Sequence, residues 1–352
     1  MNFQNAAIRK PLFQLPRMAL PGTGPLAALL LESALHPVYQ PIACLADGSI
    51  FAHEALVRGP VQSPLHWPEA LLKAAATEGL DFQFESACVV SAVDHWGALN
   101  EPGRLFVNIS AAVLVRAWRV YGREPLLDLL ESLDVLPRMV VLEITEHERV
   151  ADMDRLARVV EAVRHAGLSL ALDDFGDGRS SLRLWSQLKP EFVKIDKYFT
   201  KDISQHADKL KTIQALQQIA NIFGTSLIAE GIETQNDLRV LRDMGIDYGQ
   251  GYFLGRPALR PREKIDADAL QVLLDSHDAM ASQAQEFTDD VTCCERNGHK
   301  VTLVPGSRMG MKITEPADLT IARALWRVRA SLGHHSGKRF WRQLSHGSVA
   351  ER

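Results

Sequence analysis

At 352 residues, 46% of them hydrophobic and 23% charged, the chain can bury a core the size of one large barrel or of two ordinary domains. With 39 Lys and Arg against 43 Asp and Glu the formal net charge is -4, which argues against a protein that holds nucleic acid polymers by overall basic charge. The four cysteines, at 44, 88, 293 and 294, follow no regular spacing, so a reduced, cytoplasmic chain is expected, with Cys44 and Cys88 as packing residues in apolar runs.

Along the chain, Arg9, Lys10 and Arg17 precede no usable apolar segment, because Pro11, Pro16, Pro21 and Pro25 interrupt each run; neither a signal peptide nor a membrane span is expected. Residues 1–24 read as a flexible lead-in. A short helix is expected over Gly24 to Leu35, then a hairpin: Val38 to Leu45, a turn at Ala46-Asp47-Gly48-Ser49, and Ile50 to Val57. Helical patterns follow at Pro68 to Glu78 and Asp81 to Trp96.

From there short apolar runs alternate with amphipathic stretches. The runs are Arg104 to Ile109, Met139 to Thr145, Leu168 to Leu172, Phe192 to Ile195, Leu227 to Ala229 and Tyr248 to Leu254. The helical stretches are Leu126 to Leu133, Asp152 to His165, Ala207 to Phe223 and Thr234 to Met244. Such alternation predicts a parallel sheet with helical crossovers, and both a closed barrel and an open doubly wound sheet satisfy it. What separates them is where the polar residues fall. Each run stops at a residue suited to metal or phosphate chemistry: Glu54, Asn108, Glu143, Asp173-Asp174, Lys194 and Glu230, with Gln250 opening the last. In a barrel all parallel strands end on one face and these groups converge, whereas an open sheet gathers ligands at a single switch point. The barrel is therefore expected.

Glu54, Glu143, Asp173, Asp174 and Glu230, with the amide of Asn108, form an oxygen-rich and sulfur-free set suited to Mg2+ or Mn2+ rather than zinc. So many acids in one pocket need cations, and two ions about 3.5 to 4 Å apart could activate a water and brace the leaving oxygen of a phosphate ester. Adjacent Asp173 and Asp174 can both face such a site only just past the strand end, where alternation relaxes. Lys194 either positions a water or offsets phosphate charge, or is simply a salt-bridge partner inside an acidic site.

Taken together, Gln40-Pro41-Ile42, Glu54-Ala55-Leu56-Val57-Arg58, Val107-Asn108-Ile109-Ser110, Glu143-Ile144-Thr145-Glu146, Asp173-Asp174-Phe175-Gly176, Val193-Lys194-Ile195-Asp196, Ala229-Glu230-Gly231-Ile232-Glu233 and Gly249-Gln250-Gly251-Tyr252 resemble the EAL-domain family of cyclic di-GMP phosphodiesterases, over roughly residues 25 to 258. The resemblance implies an α/β fold, a modified (β/α)8 TIM-type barrel with one antiparallel strand, and hydrolysis of cyclic di-GMP to linear pGpG with Mg2+ or Mn2+, two ions being expected. It implies Glu54, Asn108, Glu143 and Asp173 as ligands of one metal, and Asp173, Asp174 and Glu230 at the second. Glu54 and Glu230 are thereby also catalytic, Lys194 would position the attacking water, and Gln250 would sit beside it. Gln40, Arg58 and Asp196 would contact the nucleotide, and Glu146 would hold the loop after Asp174. In that loop Asp177 and Arg179 depart from the family's usual Thr and Tyr, a change expected to bear on metal affinity, loop order or dimer contacts. A homodimer is a further expectation.

Beyond residue 260 the rhythm stops. Residues 261–352 read as a helical and irregular extension, with Lys264 to Phe287 helical in composition, Ala317 to Leu332 a basic amphipathic helix and Lys338-Arg339-Phe340-Trp341-Arg342 a basic aromatic end. Cys293-Cys294 with His299 lacks the ligand count of a closed zinc site. The competing functional reading is a catalytically weak cyclic di-GMP receptor that signals through this extension.

Overall fold

In the computed structural model the described residues are 24–99, 103–122, 124–132, 135–145, 152–176 and 182–273. All of them fall within one compact unit. Expectations for the N-terminal lead-in, for Glu146, for Asp177 and Arg179, and for residues 274–352 lie outside them.

Eight strands close into a barrel in sequence order: β1 His36–Cys44, β2 Ile50–Arg58, β3 Arg104–Ser110, β4 Val140–Thr145, β5 Ser169–Phe175, β6 Phe192–Ile195, β7 Ser226–Ala229 and β8 Tyr248–Gly249. β1 runs antiparallel to both of its neighbours, β2 and β8, and every other pairing is parallel. The single reversed strand follows from the hairpin: Asp47 accepts hydrogen bonds from the backbone N–H and the hydroxyl of Ser49, and Gly48 takes a left-handed φ of 74°, so β2 starts without a crossover helix.

The helices are α1 Pro25–Leu31, α2 Pro68–Glu78, α3 Asp81–Leu99, α4 Ala111–Tyr121, α5 Glu124–Ser132, α6 Met153–His165, α7 Leu182–Leu188, α8 Lys197–Thr200, α9 Ala207–Phe223 and α10 Gln235–Asp243. Three of them, α4, α7 and α8, were not expected. The β-branched run Val113, Val115 and Val120 blurs the period of α4, while the signal that marks it is Ser110, whose hydroxyl accepts from Val113 N–H at the N-cap. Two expected elements end early. The first helix stops at Leu31, and the last strand is two residues long because the chain turns at Gly251, where a Cβ would collide with the backbone of Ile232.

Two apolar populations hold the barrel. Outward-facing residues such as Tyr39, Ala55, Leu105, Val107, Leu142 and Val193 pack against the helices in one large cluster. Inside stands a separate plug of Ile42, Ala52, Phe106, Val141, Ala171, Phe192 and Ile228, one residue from each of β1 to β7, with Phe51 and Tyr248 packed on it. Since side chains on a strand alternate faces, the next inward position is two residues along. On β2 to β7 that step toward the C-terminal mouth gives Glu54, Asn108, Glu143, Asp173, Lys194 and Glu230, and from Tyr248 it gives Gln250. On the reversed strand β1 the same step runs backwards, from Ile42 to Gln40. The plug is thus the floor of a polar chamber, most of whose wall is set by strand period.

After β8 the chain doubles back to β1, and residues 267–273 are helical. Ile265, Ala269, Val272 and Leu273 are buried in the same large cluster as the barrel wall, so the stretch just past the boundary expected near 260 to 265 packs with the barrel.

Candidate active site

The chamber is organised on Lys194, 1% exposed, whose Nζ lies 3.0 Å from Glu54 Oε2, 2.5 Å from Glu143 Oε1, 2.7 Å from Glu230 Oε1 and 3.3 Å from Asp173 Oδ1. Around it Asn108 Nδ2 donates to Glu54 Oε1 at 2.8 Å, and Gln250 Nε2 donates to Glu54 Oε2 at 2.7 Å and to Gln40 Oε1 at 3.2 Å. Gln40 Nε2 donates in turn to the carbonyl of Gly255 at 3.3 Å. Glu54 is therefore the hub that the other strands reach. Strand pairing explains this directly, because Gln40 stands opposite Glu54 across the β1–β2 ladder and Asn108 opposite Glu143 across β3–β4.

Charge in this chamber is unbalanced: four carboxylates surround one ammonium. Burial pushes Glu230 up to about 8, offset in part by Lys194 and reinforced by Asp173 and Glu54. Glu143, wholly buried, is raised well above the carboxylate range by desolvation and by the Glu54 charge. For Lys194 burial acts to lower the pKa, but Asp173, Glu143, Glu230 and Glu54 outweigh it and hold the ammonium well above its ordinary value.

Asp173 and Asp174 reach the chamber by a different device from the one expected. They lie within β5, not past its end, at an irregularity where the β5–β6 ladder jumps from Leu172↔Val193 to Phe175↔Ile195. Asp174 takes a φ of 48°, a left-handed conformation rare for a residue with a side chain, and this breaks the alternation that would otherwise send it outward. Carboxylate oxygens of Asp173, Asp174 and Glu230 then come within 4.8 Å of one another, as do those of Glu54, Glu143 and Glu230, so Glu230 belongs to both groups.

This donor set fits divalent metal: all ligand atoms are oxygens, the acids outnumber the cation, and Glu143 Oε2 is buried with no hydrogen-bond partner. Gln250 Oε1 is likewise buried and unpartnered, pointing to a further polar ligand in the chamber. A cavity of about 750 Å3 opens here, with Glu54, Asn108 and Asp173 at one end and an apolar wall that includes Leu56, Val57, Leu72 and Phe84.

On the rim, Arg58 sits at the end of β2 with its guanidinium 5.3 Å from the ring centre of Trp67; partial burial lowers its pKa, and the charges of Glu69, Tyr252 and Glu54 act the other way. Tyr252 carries a second such pair with Arg256 at 4.3 Å. Trp67 and Tyr252 are 59% and 48% exposed beside the mouth, and Trp67 and Arg256 were not singled out from sequence. Only an aromatic next to an arginine rim in space would mark them, and in sequence Trp67 is nine residues from Arg58. Asp196 lies at the N-terminus of α8, where its carboxylate accepts from Tyr198 N–H at 2.8 Å.

The family model described as EAL domain matches residues 26–257, about two thirds of the chain, which is the whole barrel. The chain belongs to the EAL domain family. Among curated relatives it is 32% identical over 234 residues to the cyclic di-GMP phosphodiesterase NbdA of Pseudomonas aeruginosa, covering 65% of this chain and 29% of that protein. It is 31% identical over 228 residues to the probable cyclic di-GMP phosphodiesterase PdeB of Escherichia coli, covering 62% and 42%. The chain thus spans well under half the length of these relatives. Among solved structures, the Klebsiella pneumoniae BlrP1 calcium/cyclic di-GMP complex superposes with a TM-score of 0.60 at 28% identity, over 66% of this chain and 58% of that one. Its manganese/cyclic di-GMP counterpart gives 0.58 at 28% identity, over 64% and 56%. A second, short match, to the 2-C-methyl-D-erythritol 4-phosphate cytidylyltransferase family, covers residues 265–328, of which 265–273 pack with the EAL barrel. Among the described residues of this EAL protein no helix is long and apolar enough to cross a membrane.

Proposed function

We propose that this EAL domain hydrolyses one phosphodiester bond of cyclic di-GMP to linear pGpG and requires divalent metal, Mg2+ or Mn2+. The observation that carries the reading is the convergence of Glu54, Asn108, Glu143, Asp173, Lys194, Glu230 and Gln250 on one chamber, a set of metal-type oxygens completed by a single buried cation. The relatives named as cyclic di-GMP phosphodiesterases support it.

Glu54, Asn108, Glu143 and Asp173 would hold one ion, and Asp173, Asp174 and Glu230 the other. The Asn108 amide would present its oxygen to the ion while its nitrogen keeps Glu54 in place. Bound ions would supply charge compensation and an acidified water for in-line attack on the phosphate. The chain's own residues do the rest. With its carboxylates shared by metal, Lys194 is free to donate to the attacking water and fix its line of approach, and as a cation it offsets charge that develops on the phosphate. Gln250 and Gln40 form a relay of amides that orients the nucleotide over Glu54. Arg58 on the rim pairs with a phosphate or base, and Asp196, following β6 on the other side of the mouth, offers a further contact. Glu146 has its role by resemblance alone, as holder of the loop after Asp174.

The test is direct. Purified protein is incubated with cyclic di-GMP and Mg2+ or Mn2+ and pGpG is followed by chromatography, beside Glu54→Ala and Lys194→Ala. Turnover by the native protein and its loss in both variants is expected. Binding without turnover would instead make the protein a receptor. Ca2+, with its longer bonds and irregular coordination, is expected to support binding and suppress hydrolysis.

A further inference from the structure

The segment after β8 is tied to the two strands that carry Gln40 and Glu54. Tyr39 N–H donates to the carbonyl of Ala258 at 2.7 Å and Ala258 N–H returns a bond to Tyr39 O at 3.0 Å. Gly255 offers its carbonyl to Gln40, and a Cβ there would come within 2.6 Å of Pro41 Cγ, so the backbone can approach β1 this closely only as glycine. Four residues past Ala258, Arg262 meets His53 with both its backbone groups: its N–H lies 3.1 Å and its carbonyl 3.2 Å from His53 Nε2, which accepts from the one or donates to the other according to the ring's tautomer. Asp266 N–H closes the segment onto Leu254 O at 2.9 Å, and the Arg262 guanidinium pairs with Asp266.

His53 is the immediate neighbour of Glu54. It is 4% exposed and points to the outer face of β2, with its ring 5.7 Å from that of Trp96, while Glu54 points inward. Any displacement of the backbone at His53 is therefore passed to Glu54, the carboxylate that Asn108, Lys194 and Gln250 all hold. Near the reacting atoms a shift of about 1 Å can cost on the order of a hundredfold in rate.

We propose that residues 255–266 form a strap that positions the β1–β2 half of the chamber, and that His53, through its bond to Arg262, is a positioning residue for Glu54. The proposal rests on the reading of the chamber as a metal-dependent phosphodiesterase site. A pull on the strap reaches Gln40 through Gly255 and Glu54 through His53.

The test compares wild type with His53→Phe, His53→Ala and His53→Gln in three measurements: cyclic di-GMP turnover, calorimetric titration with Mn2+, and thermal midpoint. Phenylalanine keeps a ring against Trp96 but removes the nitrogen that hydrogen-bonds the Arg262 backbone, so His53→Phe should lower kcat about tenfold with KM within about twofold, and weaken Mn2+ binding several-fold. Glutamine carries its amide at the distance of the lost Nε2, and His53→Gln should recover most of both losses. If His53→Phe retains wild-type kcat and Mn2+ affinity, His53 only fills space and the proposal is overturned, whatever its thermal midpoint. His53→Leu replaces the phenylalanine variant should that fail to fold. Absence of turnover in the wild type would sink the phosphodiesterase reading, and the Mn2+ titration alone would then decide: weaker binding in His53→Phe keeps the strap, unchanged binding removes it.

Discussion

Two layers of the same barrel interior, one side-chain step apart on each strand, follow opposite rules. The lower layer, Ile42, Ala52, Phe106, Val141, Ala171, Phe192 and Ile228, is apolar and stabilises by burial alone. The upper layer, Gln40, Glu54, Asn108, Glu143, Asp173, Lys194, Glu230 and Gln250, is polar throughout and mostly buried, with Asn108 and Glu230 half-buried and several carboxylates around one cation. The two layers are not told apart by which strand carries them, since both are drawn from the same barrel strands and the residues that directly follow them. The difference is one of purpose: the lower layer supplies a dry, rigid floor of low dielectric, and that floor is what makes the charges above it strong. The upper layer is under-satisfied by itself, and the protein keeps it by resting Lys194 on four carboxylates.

The sharpest way to break this contrast is to remove its one cation. Lys194→Met should lower turnover by about 10^2- to 10^4-fold, as loss of a positioned catalytic group does. It should also destabilise the metal-free protein by about 3 to 5 kcal/mol, because the buried carboxylates lose their partner. Urea unfolding with and without Mn2+ checks this, since added Mn2+ should restore most of the lost stability. An undiminished midpoint without metal would show that the carboxylates are protonated rather than paired.

Breaking the floor should act on stability and leave chemistry in place. Phe106→Ala deletes a wholly buried ring that packs against Phe192 at 5.4 Å and should cost about 3 to 5 kcal/mol in chemical unfolding, with kcat per folded molecule little changed. A large fall in kcat for the folded fraction would mean that the two layers are not mechanically separate.

Acidity sharpens the same contrast without mutation. Glu230, lifted from 4.5 to about 8, and Glu143, also lifted, keep protons in the folded metal-free protein that the unfolded chain has already released. Stability without metal should therefore fall as pH rises from about 4.5 toward 8, because the native state binds more protons in that window. The raised pKa of Lys194 contributes equally throughout this range, its stabilisation being lost only above its own ordinary value. Metal binding requires the carboxylates ionised, so Mn2+ affinity should rise over the same interval. A thermal midpoint that is flat from pH 5 to 8 in chelator would contradict the shifts.

The smallest effect belongs to the rim. Trp67 is 59% exposed and its stacking on Arg58 is the kind of exposed cation–π contact that contributes about 0.5 to 1 kcal/mol. Trp67→Ala should raise KM for cyclic di-GMP about two- to fivefold and leave kcat within about twofold. An equal fall in kcat would place Trp67 closer to the reaction than the rim.

Much of this protein is written in its sequence, for a definite reason. Strand period and the polar residue that closes each apolar run are local properties, so the barrel, its single hairpin-reversed strand and the membership of Glu54, Asn108, Glu143, Asp173, Lys194 and Glu230 in one mouth can be read residue by residue. Gln250, which opens the last run, belongs to the same reading, and family resemblance added Gln40, since its motif is short and contiguous. Helices α4, α7 and α8 were missed because β-branched or short segments have no clear period of their own and form where the barrel wall receives them. Tertiary structure alone decided three things. The bulge that turns Asp174 inward depends on how β5 meets β6. The four-fold embrace of Lys194 depends on closure of the barrel, which brings β2, β4, β5 and β7 to one point. Arg262 lies 209 residues from His53, and Trp67 faces Arg58 across a loop, contacts that no local pattern carries because their partners meet only after the chain has closed.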